Sequence, residues 1–245
     1  MGNFEIGRVF GNSFAALTRN APLFLGLAAV MAGVPTLLMA YVGFNALNPG
    51  RFAGSMIANN YPGIAGGWLI TFICGALLQA ALVRATIEDL NGQTPVFADC
   101  FQTALTVLFP TIGISILVTI GSAFGLVLLI VPGVVLWLGW SVAIPVLVQE
   151  RLGVFGSMAR SRALTKGSRW SLFGLFIVLI IVLWVIQMVF GMMALASGTM
   201  FSPFMAAIGS TITAAIMSTG TAAAYVELRT AKEGASFESL AEIFA

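Results

Sequence analysis

The chain has no histidine, and only two of its 245 residues are cysteine. Cys74 and Cys100 lie in apolar surroundings without CxxC spacing, so neither a disulfide framework nor a zinc site is indicated and no cofactor is expected. Charge is equally scarce. Only 8% of residues are Asp, Glu, Lys or Arg, against about 25% in a soluble domain. Phosphodiester hydrolysis would need carboxylates and a general acid or base gathered in one site. The nine acids are instead scattered, as Glu5, Glu88, Asp89, Asp99, Glu150, Glu227, Glu233, Glu238 and Glu242. The adjacent pair Glu88 and Asp89 would point about 100° apart on a helix and reads as the end of a span. Lys166-Gly167-Ser168 lacks the residue order of a phosphate-binding loop. The expectation is a protein that is not an enzyme. With eleven bases set against nine acids, the net charge of +2 gives no reason to expect nucleic acid.

What is abundant is apolar. At 59% hydrophobic residues and a mean hydropathy of +1.02, the composition is that of an all-α membrane protein that crosses the bilayer repeatedly. The start, MGNFEIGRVFGNSF, lacks a basic segment followed directly by an apolar core, and Ile6 breaks the myristoylation pattern. The first apolar run is therefore expected to act as its own insertion signal.

A membrane helix needs about 20 apolar residues, and the charge-free intervals predict six transmembrane helices in a single domain over 1–245. They fall at 22–47, 64–87, 108–130, 133–149, 171–195 and 203–226, after an interfacial helix over 1–20 and before a tail over 227–245. Pro35 should kink the first. Turns are expected at NPGRFAGSMIANNYPG, at Val131-Pro132-Gly133 and at ASGTMFSP. Of the basic residues only Arg51 lies on the far side, so both termini are expected in the cytoplasm.

Three segments expected on that face share a pattern: VFGNSFAALT, VFADCFQTALT and VFGSMARSRALT. Each opens Val-Phe, reaches Ala-Leu-Thr and leads into a span, which predicts a threefold repeat of an interfacial helix followed by a transmembrane hairpin. In the first, Ile6, Phe10, Ser13, Phe14 and Leu17 share a face opposite Arg8, Asn12, Ala15 and Arg19, the pattern of an amphipathic helix lying among headgroups. The second is expected to start with Thr94 as N-cap and Pro95 as first helical residue, turning Phe97, Phe101, Ala104, Leu105 and Leu108 away from Asp99, Gln102, Thr103 and Thr106. In the third, Gly156 and Gly167 limit the helix to Ser157 through Lys166, and its charges spread around the wheel.

That third segment holds the densest charge in the chain: Arg151, Arg160, Arg162, Lys166 and Arg169, with Trp170 beside them at the mouth of the fifth span. Topogenesis explains the sign of the cluster. It has no use for a glycine-punctuated helix with bases on several sides. Each base near an anionic leaflet contributes about 1 kcal/mol, so the cluster is expected to contact anionic lipid headgroups or a partner protein. No ionisable residue lies deep in a span: Arg84 and Glu150 sit near span ends, while Gln79, Gln102 and Gln187 are neutral and expected to bond to neighbouring helices. A charged transport path is not expected. A carrier of lipid-like cargo and an accessory subunit of a larger complex are the alternatives.

The stretch IVPGVVLWLGWSVAIPVLVQERLGVFGSMARSRALTKGSRWSLFG resembles a loose group of bacterial integral membrane proteins. The group includes the membrane domain fused to some glycerophosphodiester phosphodiesterases, and related six-span families. The resemblance rests on Pro132-Gly133, on Glu150 ending the fourth span and on the string from Ser161 to Phe173. It implies the six-span layout and little about activity, and with only 227–245 after the sixth span no catalytic domain is expected here.

The last span carries a packing signal. Ala206, Ser210, Ala214, Ser218 and Ala222 form one column at four-residue spacing, and Ala207, Thr211, Ala215, Thr219 and Ala223 form the next. Small residues let helices approach closely, as a central helix or as a homo-oligomer interface. Gly121 and Gly125 form a GxxxG in the third span. The fifth, LFIVLIIVLWVIQMVF, is bulky on every side and expected to face lipid.

Overall fold

The computed structural model describes residues 4–46 and 53–234, and every regular element among them is helical. The chain begins with α1 (Ile6–Arg19), then α2 (Ala21–Ala28), a π-helical turn (Ala29–Gly33) and α3 (Val34–Ala46). Next come α4 (Ala53–Leu90), α5 (Phe97–Thr106), α6 (Leu108–Leu128), α7 (Ile130–Trp140) and α8 (Ala143–Glu150). The last are α9 (Gly153–Thr165), α10 (Arg169–Ala196) and α11 (Gly198–Arg229), with a π-helical turn over Thr230–Gly234. Six stretches are long and apolar enough to cross a membrane: Ala21–Ala40, Ala65–Leu90, Leu108–Val127, Ile130–Glu150, Arg169–Ala196 and Met200–Gly234. The charge-free intervals predict the same number.

The breaks fall elsewhere than turn residues suggest. Pro35 lacks an N–H and its ring crowds the preceding turn. The chain answers by widening the turn just before it into the π segment, whose exit is marked by the Val34 amide donating to the Ala29 carbonyl. Residues 53–63, read from the sequence as part of a turn, belong to α4, while 47–52 lie outside the described residues. Similarly, α11 starts at Gly198, with φ +74°, and carries Pro203 inside it, so the turn before it shrinks to Ser197. In an apolar surrounding a helix satisfies its own backbone, and this outweighs turn propensity. The sixth stretch accordingly continues past 226 to Gly234, and 235–245 lie outside the described residues.

Between α6 and α7 the break is Leu129, extended at φ −160° and ψ 131°, rather than Val131 to Gly133. Pro132 stands in the first turn of α7, where a missing N–H costs nothing. Gly133 instead permits the closest approach of the hairpin: a Cβ there would lie 2.5 Å from Leu126 N and 2.7 Å from Gly125 C. The GxxxG of the third span thus works within the chain, with Gly125 against Gly133 and Gly121 under the Trp140 ring.

α11 forms the middle of the bundle. Ala215, Ala222, Ala223, Ala224, Tyr225 and Leu228 are buried on it, and α1, α2, the π turn, α3, α4 and α10 pack around it. A Cβ on Gly33 of that π turn would come within 2.9 Å of Thr211 Oγ1, and Thr36 Oγ1 lies 3.0 Å from Ser210 Oγ. The α6–α7 hairpin and α9 lie to one side, against α4, α8 and α10. In α10 only the first turns are buried, at Leu172, Leu175, Phe176 and Leu179, and most of the helix beyond is exposed.

Candidate functional site at the charged end of the bundle

Every second candidate span ends in a carboxylate that a short helix reaches. At the end of α4, Asp89 accepts from Arg19 Nη2 at 2.9 Å and from Asn20 Nδ2 at 2.6 Å, which ties α1 down. Beside it Glu88 Oε1 is 2.6 Å from Arg84 Nε, an ion pair by distance rather than an aligned hydrogen bond, and Glu88 Oε2 accepts from Cys100 Sγ of α5 at 3.7 Å. At the end of α8, Glu150 accepts from Arg160 Nε at 3.0 Å and from the Tyr225 hydroxyl at 3.0 Å. Near the end of α11, Glu227 takes Arg8 Nη2 at 2.6 Å and Nε at 3.1 Å. Glu88, Asp89 and Glu227 are buried and Glu150 half-buried. Their cost is met because each is paired. The signal was legible as an acid near the end of the second, fourth and sixth spans. Most of the partners were not, because they are up to 219 residues away in the chain.

The short helices do not use their recurring sequence words alike. Ala16 and Ala104 are buried, whereas the matching Ala163 is exposed and Leu164 is buried instead. α1 buries Val9 and Ala16, and Phe14, on its apolar face, is exposed. α5 starts at Phe97 with Val96 as N-cap and no side-chain cap, two residues later than Thr94 and Pro95 suggest. It buries Cys100 and Ala104, and Phe97 stacks on Phe101 at 6.0 Å. Burial and the nearby Glu88 push the Cys100 thiol up to about 12.

α9 runs from Gly153 to Thr165, so Gly156 lies inside the helix instead of limiting it. Its inner stripe is small and polar: Ser157, Ser161 and Thr165 are buried, and Ser161 Oγ donates to the Gly139 carbonyl at 2.8 Å. The Ser161 bond ties α9 to α7, and burying this face divides the basic cluster. Arg160 turns toward Glu150 and Glu233, which in turn holds Arg229 Nε at 2.6 Å. Burial opposes the charge of Arg160, but hydrogen bonds to Glu233 and Glu150 outweigh it and raise its pKa. Arg160 is therefore a bundle residue rather than a free surface cation. Arg162 lies over Trp140, its Cζ 4.6 Å from the ring centroid. Arg151 caps α8 in the left-handed conformation at φ +51°, Lys166 follows α9, and Arg169 opens α10 next to Trp170, which is 86% exposed. Arg151, Arg162, Lys166 and Arg169 form no ion pair with a described carboxylate. Lys232, from the turn after α11, donates to the Ala163 carbonyl and so fastens that turn to α9.

The small-residue columns of α11 lie along the bundle interior: Ser218 and Ala222 are buried, Ala206, Ser210 and Ala214 half-buried. Gln187 Nε2 donates to Thr213 Oγ1 at 3.1 Å, joining α10 to α11 as a neutral amide in a span is expected to do. Gln79, near the middle of Ala65–Leu90, instead faces a partly open cavity of about 220 Å³, shared with Ser115, Thr119, Trp137, Ser141 and Thr221.

Fold and site together define a protein that is all-helical over its described residues, with six long apolar helices of membrane-crossing length and composition and with arginines paired to buried or half-buried carboxylates near the ends of three of them. No protein family, curated protein or solved structure matches the chain.

Proposed function

We propose that this is a non-enzymatic, multi-pass protein of a bacterial inner membrane that holds anionic lipid headgroups at its cytoplasmic face. In this reading the charged end of the bundle is cytoplasmic, α1, α5 and α9 lie at the interface, and each with its following hairpin forms one unit of a threefold repeat. The order of elements supports the repeat, since each short helix precedes two candidate spans. Exposed Phe14, Phe97 and Phe155 support interfacial placement, one aromatic per short helix.

The observation that carries the reading is the set of four cations, Arg151, Arg162, Lys166 and Arg169, on and around α9 with no described carboxylate partner. The described acids nearby, Glu150 and Glu233, are paired with Arg160 and Arg229, which supports assigning the charge of these four to an external anion. Trp170 beside them fits the headgroup layer. Native mass spectrometry tests this. Protein extracted from bilayers containing both phosphatidylglycerol and phosphatidylcholine should retain the first in excess, and the excess should shrink in high salt, because such attraction is screened over about 8–10 Å. Equal retention of both lipids at low salt overturns the proposal.

A second reading, a carrier of lipid-like cargo, is favoured by the Gln79 cavity, which places uncharged polar groups halfway along a candidate span. Movement of a fluorescent phospholipid between leaflets of proteoliposomes, abolished by Gln79→Leu, would support it. A flip rate equal to that of empty vesicles would remove it.

A further inference from the structure

Arg162 belongs by sequence to the loop between the fourth and fifth spans, yet the fold lays its side chain along the bundle wall. The Ser161 bond to Gly139 brings α9 alongside α7, and a Cβ on Gly139 would sit in ordinary contact, 3.5 Å, with Arg162 Cγ. The guanidinium then covers one part of Trp140 while Gly121 of α6 meets the same ring. Gly121, Trp140 and Arg162 thus form a stack joining α6, α7 and α9. Between α6 and α9 this leaves an open groove of about 410 Å³, walled by Leu117, Ile120, Trp140, Phe155, Met158 and Arg162. Its volume is that of a small-ligand site, about 300–1,000 Å³. Apart from Arg162 its lining is apolar, and it runs into the exposed apolar stripe of α6 formed by Ile116, Ile120 and Phe124.

Arg162 is exposed on this apolar wall, where its charge is complemented by an anion. The face of Trp140 attracts the guanidinium but leaves its charge and most of its five N–H donors uncompensated. The ligand that matches is amphiphilic, with an apolar chain for the groove and an oxyanion for the fork of Arg162. We propose that the α6–α9 groove holds one acyl chain of an anionic phospholipid of the surrounding bilayer, with its phosphate on Arg162. This rests on the headgroup reading above, and assigns it to one lateral site in place of a diffuse basic surface. A bilayer lipid is favoured over a soluble anion because the groove opens onto the apolar stripe of α6.

The test compares four variants in nanodiscs that contain phosphatidylglycerol and phosphatidylcholine with the same chains. Arg162→Gln removes the fork, Ala159→Trp fills the groove from an exposed position and keeps the charge, and Arg151→Gln with Lys166→Gln removes loop charge outside the groove. Native mass spectrometry counts the retained lipid. The expected result is a single phosphatidylglycerol on the wild type, occupancy lower by about tenfold in Arg162→Gln and in Ala159→Trp, and a smaller loss in the double variant. Arg162→Lys should recover only part of the binding, since it restores charge without the fork. If Ala159→Trp keeps wild-type occupancy while the double variant loses it, the groove is overturned and the headgroup reading stands. If the wild type does not discriminate between the two lipids, both fall. Should Ala159→Trp not fold, chain-brominated phosphatidylglycerol replaces it: quenching must be greater for wild type than for Trp140→Phe, and equal quenching overturns the groove.

Discussion

Arg160 Nε lies 3.0 Å from Glu150 Oε2, closing a contact between residues ten apart in sequence that turns α9 back against the end of α8. The same guanidinium reaches Glu233, so it joins α8, α9 and the turn after α11. Arg160→Gln leaves Glu150 with Tyr225 and Glu233 with Arg229. The expected loss is about 1–3 kcal/mol, reduced from that of a fully buried pair because Arg160 is about one-third exposed. Thermal unfolding in detergent should show it, and Arg160→Gln with Glu150→Gln should cost less than the sum of the two. Additive losses would mean that the pair carries no coupling.

Arg151 tests charge against backbone. At φ +51° it occupies a conformation that costs a non-glycine residue about 1–2 kcal/mol. Arg151→Gly should therefore raise stability slightly, by about 0.5–1 kcal/mol after the added chain freedom of glycine is counted. The same change should lower retention of anionic lipid. A variant that gains stability with no change in lipid would show that the arginine is not there for its charge.

In α11, Ser218→Leu forces a bulky side chain into a buried position and should destabilise by about 1–3 kcal/mol. Ile181→Leu, on the exposed part of α10, should leave the melting temperature unchanged. Loss of self-association in Ser218→Leu with an unaltered melting temperature would identify an interface between copies instead of a packed centre.

Cys100 is fully buried, and its thiol is pushed up to about 12 by burial and by Glu88. The reactive form is the thiolate, so at neutral pH Cys100 should resist alkylation in the folded protein and react on denaturation. Mass spectrometry after iodoacetamide treatment checks this, and rapid modification of the native protein would contradict the packing of α5 against α4.

Orientation is open to a reporter. Alkaline phosphatase, active only outside the cytoplasm, should be active when fused after Gly50 and inactive when fused after Ala245, from the bias of basic residues. The reverse pattern would place α9 and its cations on the other face and remove the inner-leaflet argument.

The sequence alone determined the composition-driven features: an all-helical chain, six stretches of membrane-crossing length, and a small-residue α11 beside a bulky α10. These follow because apolar length and side-chain size act locally, through the need of each helix to satisfy its own backbone. Turn positions were legible only in part, since Pro62, Gly63 and Pro203 look like breaks in isolation and are carried inside helices in the fold. What tertiary structure decided was the fate of each charge. Five bases of one short segment looked equivalent in sequence. α9 buries Ser157, Met158, Ser161, Leu164 and Thr165 and is tied to α7 by the Ser161 bond to Gly139, and in that rotation Arg160 pairs with Glu150, Arg162 lies on Trp140 and Lys166 stays outside. Neighbours on a helix differ by about 100° in direction, so a contact made by residues distant in the chain decides which cation pairs with a described carboxylate and which does not.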